Sequence, residues 1–94
     1  MSQTFTIELL SGYIDPDQSK TTEYRFESGS AHVFTIPCLG REEMMELWYC
    51  LKHQYEGNPN WDEVYCGSGE GHGYIQFQHR DMRSRILSIY TYVS

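Results

Sequence analysis

The sequence contains few cysteines, no long apolar run and few basic residues. No window approaches the roughly 20 apolar residues of a membrane-spanning helix, and the first residues have neither the basic start nor the apolar core of a secretory signal. The three cysteines are irregularly spaced, which is not the pattern of a disulfide framework. We therefore predict a cytoplasmic protein that makes no membrane contact.

Basic residues are scarce through the first three quarters of the chain. Up to Glu70, twelve acidic residues stand against four basic ones, and the whole chain has a net charge of −6. Such a protein repels nucleic acid and attracts basic surfaces. Only Arg80, Arg83 and Arg85 form a basic cluster, which we interpret as a solubilising turn rather than a nucleic-acid footprint. We predict no direct binding of nucleic acid.

The residues that are present indicate a single α+β domain over residues 1–94. Alternating apolar and polar residues predict strands at 4–9, 24–26 and 32–36, with a turn at 15–20, and these three strands would form an antiparallel meander.

A helix is predicted from Arg41 to Tyr55. Its apolar stripe has helical spacing, Glu42 and Glu43 lie in its first turn, and Gly57 follows its end; the stripe contains Met44, Leu47, Trp48, Leu51 and Tyr55.

The last third of the chain predicts further strands. Residues 61–66 are ambiguous between a short strand and a loop, residues 67–73 predict a flexible glycine-rich loop, and residues 74–79 and 85–93 predict two strands. The final strand is apolar on both faces, which is typical of a central strand. The predicted order is βββα(β)ββ, an antiparallel sheet of four to five strands with one amphipathic helix packed on one face.

Cysteine, histidine and glycine between positions 50 and 79 suggest a second kind of site. Cys50 and His53 could supply one pair of metal ligands, and Cys66, His72 and His79 could supply others, although their spacing is unlike that of zinc sites. A small-ligand or metal-binding module that uses the glycine-rich 66–79 loop is therefore the alternative hypothesis. A phosphate-binding loop is disfavoured because Glu70 lies within it and a strand follows.

No set of residues indicates an enzyme or a cofactor. Cys38, near the predicted helix start, is the best candidate nucleophile, because helix N-termini stabilise thiolates. A catalytic pair would need a histidine brought near Cys38 by the fold, which the sequence does not show. Because no acid–base or nucleophile set converges in the sequence, we predict that the protein is not an enzyme, with no cofactor and no assigned metal site.

Carboxylates and aromatic residues are concentrated on the predicted helix and just after it. Aromatic residues make up 15% of the chain, and exposed tyrosines favour protein interfaces. Ordinary solubility charge would also account for the carboxylates. If these residues share one surface, they form a partner-binding site of Glu42, Glu43, Glu46, Tyr49, Glu56, Trp61, Asp62, Glu63 and Tyr65.

The leading functional hypothesis is a small acidic inhibitor or adaptor that binds a protein partner. It would act by stoichiometric occlusion of a basic, nucleic-acid-binding surface of that partner. In size, charge and lack of a catalytic motif, the chain resembles the small acidic proteins that phages and mobile elements encode against host defence, including anti-CRISPR proteins. A homodimer through an exposed strand edge is compatible with every one of these hypotheses.

Overall fold

One antiparallel sheet and one helix make up the fold. The computed structural model describes residues 3–15 and 23–94. Its elements, in chain order, are β1 (Phe5–Tyr13), β2 (His32–Cys38), α1 (Arg41–Glu56), β3 (Trp61–Gly69), β4 (His72–His79) and β5 (Arg85–Val93). The strands lie in the order β2-β1-β5-β4-β3. The predicted α+β fold, an antiparallel sheet with one helix on one face, is confirmed.

Strand β5 is the central strand, as its sequence predicts. It pairs with β1 on one side and with β4 on the other. Ile86 and Ser88 are buried on one face of the sheet, and Leu87 and Ile89 are buried on the face that α1 covers. A strand that is covered on both faces needs apolar residues at consecutive positions, which is what this segment contains.

Helix α1 begins at Arg41, as predicted, and ends one residue later than predicted, at Glu56. Its buried side chains are Met44 and Trp48, which pack on a core whose other members are Ile7, Ile75, Phe77, Leu87 and Ile89. Gly57 ends the helix, and its N–H donates to the carbonyl of His53 at 3.1 Å.

The predicted strand at residues 24–26 is wrong. Phe26 makes only an isolated bridge with Ile14, and the backbone of Tyr24 is hydrogen-bonded to the side chain of Gln76 on the face away from α1. This segment therefore lies against the sheet instead of extending it. Apart from Asp15, the predicted turn at 15–20 lies outside the described residues.

The predicted flexible loop at 67–73 is also wrong, because these residues form the tight end of a hairpin. Strand β3 continues to Gly69, which pairs with His72 at the start of β4. Only Glu70 and Gly71 form the turn, and Gly71 takes a φ of +70°, which glycine adopts at little cost. The ambiguous segment at 61–66 belongs to the same strand, which contains a β-bulge at Val64.

Candidate protein-binding surface

The exposed face of α1 presents a continuous row of polar side chains. Glu42, Glu46, Tyr49, His53 and Glu56 are all exposed, and they follow one another at intervals of three or four residues. This spacing places them along one side of a helix. The helix therefore brings together four of the predicted site residues, with Tyr49 as the aromatic side chain among three carboxylates.

The rotation of α1 about its axis is set by Trp48. The Trp48 side chain is fully buried, and its Nε1–H donates a hydrogen bond to the carbonyl of Ile89 at 3.0 Å. The indole packs directly over Gly73 of β4, where an added Cβ would lie 2.6 Å from a ring atom. Because Trp48 is fixed in this way, the opposite side of the helix, with its carboxylates, faces solvent.

Strand β3 adds a further carboxylate beside the second half of the helix. Glu63 pairs across the strands with Phe77, so both lie on the face of the sheet that α1 covers. Lys52 and Glu56 of the helix, together with Glu63, all act electrostatically on the Cys66 thiol. Glu63 therefore lies near the Glu56 end of the helix row. We use the name acidic ridge for the carboxylates and the tyrosine of this row together with Glu63: Glu42, Glu46, Tyr49, Glu56 and Glu63.

One lysine lies within the acidic ridge and is held by it. The Lys52 ammonium lies 3.3 Å from the Glu56 carboxylate and about 6 Å from the ring centres of Trp48 and Tyr49. Partial burial acts to lower the pKa of Lys52, but the hydrogen bond to Glu56 and the nearby negative charges outweigh it, so the pKa is raised. His53 also contacts Glu56, at 3.4 Å. Glu42, Glu46 and Glu63 make no ion pair with any described residue.

Four of the predicted site residues lie outside the acidic ridge, two of them at its borders. Glu43 accepts a hydrogen bond from the Leu39 N–H at 3.2 Å and so stabilises the start of the helix. Trp61 is half-buried between Tyr55 and His79, with ring centres 5.8 and 5.1 Å away. Both side chains are engaged in holding the fold together.

The other two, Asp62 and Tyr65, lie on the opposite face of the sheet. Their cross-strand partners are Gln78 and Gln76, whose side chains point away from α1. The Tyr65 ring lies 5.7 Å from that of Tyr74, in an edge-to-face arrangement. The nine predicted residues therefore do not share one surface, although five of them do.

The Asp62 carboxylate forms ion pairs with two arginines of the turn between β4 and β5. Its two carboxylate oxygens lie 2.7 Å from Arg80 and 2.9 Å from Arg83. The hydrogen bond from Arg80 has the largest effect and lowers the pKa of Asp62. Desolvation, the next effect, opposes it, but the charge of Arg80 and the hydrogen bond and charge of Arg83 lower the pKa further, so it is lowered overall. Arg85 lies over the Trp61 ring at 5.7 Å. All three residues of the basic cluster thus have partners within the chain.

The face away from α1 contains a buried polar cluster that the sequence analysis missed. Gln76 is fully buried, accepts a hydrogen bond from the Tyr24 N–H at 2.8 Å and donates to the Tyr24 carbonyl at 3.0 Å. It also donates to the Ser88 hydroxyl at 3.2 Å. The alternation of glutamines with Ile75 and Phe77 indicates a strand with one solvent-exposed face, and only the segment packed over that face shows that the glutamines are buried.

Two tyrosines next to this cluster have phenols whose pKa is raised. The Tyr90 hydroxyl donates to the Glu8 carboxylate, and burial together with this carboxylate raises the pKa of Tyr90 to about 12. Burial, followed by hydrogen bonding with Glu23, raises the pKa of Tyr74 to about 12 as well. Both phenols are therefore fully protonated at neutral pH and act as hydrogen-bond donors.

Cys38 and Cys66 show no sign of an activated thiolate. Burial, followed by the negative charge of Glu43, raises the pKa of the Cys38 thiol. Burial also raises the pKa of Cys66, and Glu63 and Glu56 add to this effect. Both thiols are protonated at neutral pH, which is the opposite of what a nucleophilic cysteine requires.

The loop on which the ligand- or metal-binding hypothesis depends is a hairpin in the structure. Within the described parts of the chain, no group of three or more His, Cys, Asp and Glu side chains is placed to hold one metal ion. In residues 3–15 and 23–94, no helix has the length and apolar character needed to cross a membrane.

Comparisons of the chain with protein-family models, with curated proteins and with solved structures find no match. Inferences about function therefore depend on the chemistry of the acidic ridge and of the surfaces around it.

Proposed function

We propose that the protein is a small protein-binding inhibitor or adaptor whose acidic ridge occludes a basic surface on a partner protein. The observation that carries this proposal is the row of carboxylates on α1 and β3, in which Glu42, Glu46 and Glu63 have no ion-pair partner among the described residues. Unpaired carboxylates around an exposed tyrosine suit a surface rich in lysine and arginine.

The character of the proposed partner follows from the charge of the ridge. Basic grooves in proteins commonly serve to hold nucleic acid, whose phosphates are the usual ligands of clustered lysine and arginine. A ridge of carboxylates can compete for such a groove without contacting nucleic acid itself. The proposed action is stoichiometric and cytoplasmic, needs no cofactor, and is the way of acting expected of anti-defence proteins of phages and mobile elements, such as anti-CRISPR proteins.

Capture at two salt concentrations is the first experiment. The tagged protein is used to retain partners from host lysate at low and at high salt, and the retained proteins are identified by mass spectrometry. Electrostatic association between exposed charges weakens as salt screens it. We expect a nucleic-acid-handling protein that is retained at low salt and released at high salt, and that loses its nucleic-acid binding when the acidic protein is added in equimolar amount.

A matched pair of variants tests whether the acidic ridge is the surface involved. The ridge variant combines Glu42→Lys with Glu46→Lys, and the control combines Glu27→Lys with Asp81→Lys, so that both change the net charge by the same amount. Glu27 and Asp81 are exposed and lie outside the ridge, at turns next to the sheet. We expect the ridge variant to lose most of the partner affinity and of its salt dependence, while the control keeps both. Equal loss in the two variants, or binding that is insensitive to salt, would contradict the proposal.

A further inference from the structure

The two edges of the sheet differ in how they are protected against pairing with another strand. Edge strands commonly contain charged residues or a bulge, which prevent the addition of a further strand. Strand β3 has both, because Asp62 and Glu63 are followed by the bulge at Val64. Strand β2, at the other edge, has the sequence HVFTIPC. It contains no aspartate, glutamate, lysine or arginine and no bulge, and its one protective residue is Pro37, next to the end of the strand.

The edge at β2 is also apolar. Val33 and Phe34 of β2 are 55% and 64% exposed, and Leu39, which follows the strand, is 96% exposed. Phe34 is the most exposed of the large hydrophobic side chains on the described strands. Strand β2 itself therefore carries no charged side chain, on a protein with a net charge of −6.

The hydrogen bonds of β1 show which backbone groups β2 leaves open. Thr4 exchanges two backbone hydrogen bonds with Ser94, and the Ile14 N–H donates to the carbonyl of Ser84. The backbone N–H and C=O groups of the even-numbered residues along β1 therefore point toward β5. The odd-numbered residues of β1 therefore face β2, where their partners have even numbers, such as Phe34 opposite Leu9. Consequently the backbone groups of Val33, Thr35 and Pro37 point away from the sheet.

We propose that β2 pairs with β2 of a second copy of this chain, in an antiparallel arrangement about a two-fold axis at Phe34. In this register Val33 of each copy lies opposite Thr35 of the other, and each such pair exchanges both of its N–H···O=C hydrogen bonds. Pro37, which has no N–H to donate, lies outside these pairs. The two five-stranded sheets join into one sheet of ten strands.

The side chains suit this register as well as the backbone does. Phe34 of one chain lies opposite Phe34 of the other. This is a non-hydrogen-bonded position, where cross-strand side chains approach most closely. The two rings cover each other on the α1 side of the sheet. Because each copy uses the same edge, at β2, and the axis is two-fold, the assembly closes as a dimer and does not grow into a filament. Glu63 of the acidic ridge lies on β3, at the opposite edge of the sheet from β2.

The test is the mass of the full-length protein in solution, measured by sedimentation equilibrium over a range of concentrations. We expect the mass to rise with concentration toward twice the 11.1 kDa of the chain. Phe34→Lys and Phe34→Glu should each remain at the mass of one chain, because like charges then face each other across the axis. The control Met82→Lys, at a side chain 48% exposed in the turn between β4 and β5, should behave as the wild type does.

Mixing the two Phe34 variants tests the register. Equal amounts of Phe34→Lys and Phe34→Glu should restore the doubled mass, since opposite charges then meet at the axis. Wild-type protein that remains at the mass of one chain, or a dimer that Phe34→Lys does not dissociate, would overturn the proposal, and a mixture that stays dissociated would overturn the two-fold register. Circular dichroism and thermal unfolding of each variant establish that it is folded. The variants of the acidic ridge should keep the doubled mass, so failure of the proposed function and failure of this inference are distinguishable.

Discussion

The indole N–H of Trp48 donates a hydrogen bond to the carbonyl of Ile89 across a distance of 3.0 Å in the buried centre of the protein. This bond joins the middle of the helix to the central strand of the sheet. Gly73 lies beneath the same ring and leaves no room for a side chain. The orientation of the helix, and with it the position of the acidic ridge, depends on this contact.

Adding a methyl group at Gly73 should disturb the helix packing. In Gly73→Ala the new Cβ would lie 2.6 Å from the Trp48 ring, so the indole or the strand must shift. We expect the free energy of unfolding in urea to fall by about 1–3 kcal/mol, as for other overpacked cores. The control Gly57→Ala places its Cβ 3.5 Å from the nearest atom at a negative φ and should leave stability within about 1 kcal/mol of wild type. Equal effects of the two substitutions would contradict this account.

Replacing Gln76 should release the segment that contains Tyr24. Gln76→Leu leaves the Tyr24 N–H and carbonyl without their side-chain partner, at a cost of about 1–3 kcal/mol. We expect the Tyr24 amide to lose its protection from hydrogen exchange. Gln78→Leu is the matched control, because Gln78 is buried on the same face but donates to the carbonyl of Arg83. A Tyr24 amide that stays protected in Gln76→Leu would show that other contacts hold the segment.

Acid should destabilise the protein in part through Asp62. Its pKa is lowered in the folded state by Arg80 and Arg83, so its contribution to stability is present above its ordinary value of 3.8 and is lost as the pH falls through the folded pKa. We expect Asp62→Asn to reduce the dependence of the melting temperature on pH below about pH 5. Asp81→Asn, in the same turn, serves as the control. A pH profile for Asp62→Asn that matches that of wild type would refute the role of this ion pair.

High pH should destabilise the folded protein through ionisation of Tyr90 and Tyr74. Their folded pKa of about 12 lies above the ordinary 10.0, so the stability that these phenols contribute is complete below pH 10 and is lost as the pH rises toward 12. In Glu8→Gln, we expect NMR titration of the Tyr90 ring carbon to give a lower pKa that still exceeds 10.0, since burial is the larger cause. Tyr74, whose carboxylate neighbour is Glu23, should titrate as before. An unchanged Tyr90 titration would exclude the effect of Glu8.

The sequence was most informative where neighbouring residues decide the structure. The helix was predicted to within one residue, because its apolar stripe and Gly57 are local signals. The glycine-rich segment at 67–73 was wrongly predicted as a loop, because its structure depends on pairing with another strand and not on its neighbours in sequence. Gly67 and Gly69 have little strand preference of their own, and they join β3 because Tyr74 and His72 pair with them.

The candidate site was predictable in its composition and only partly in its arrangement. Glu42, Glu46 and Tyr49 share a helix face, which their spacing indicates. Asp62 could not be separated from them by sequence, because the arginines that neutralise it lie 18 and 21 residues away along the chain. Whether a carboxylate is available to a partner depends on such distant contacts.

The sequence alone determined the fold class, the helix and the central strand, since repeating apolar patterns follow from the geometry of each element. Only the tertiary structure decided which side chains of β3 share a face. The bulge at Val64 puts Asp62 and Tyr65, three residues apart, on the same side of the sheet, and Glu63 with Cys66 on the other. In a regular strand this spacing gives opposite faces. One extra residue changes the face of every side chain beyond it, and its position is set by pairing with β4, which lies outside the local sequence.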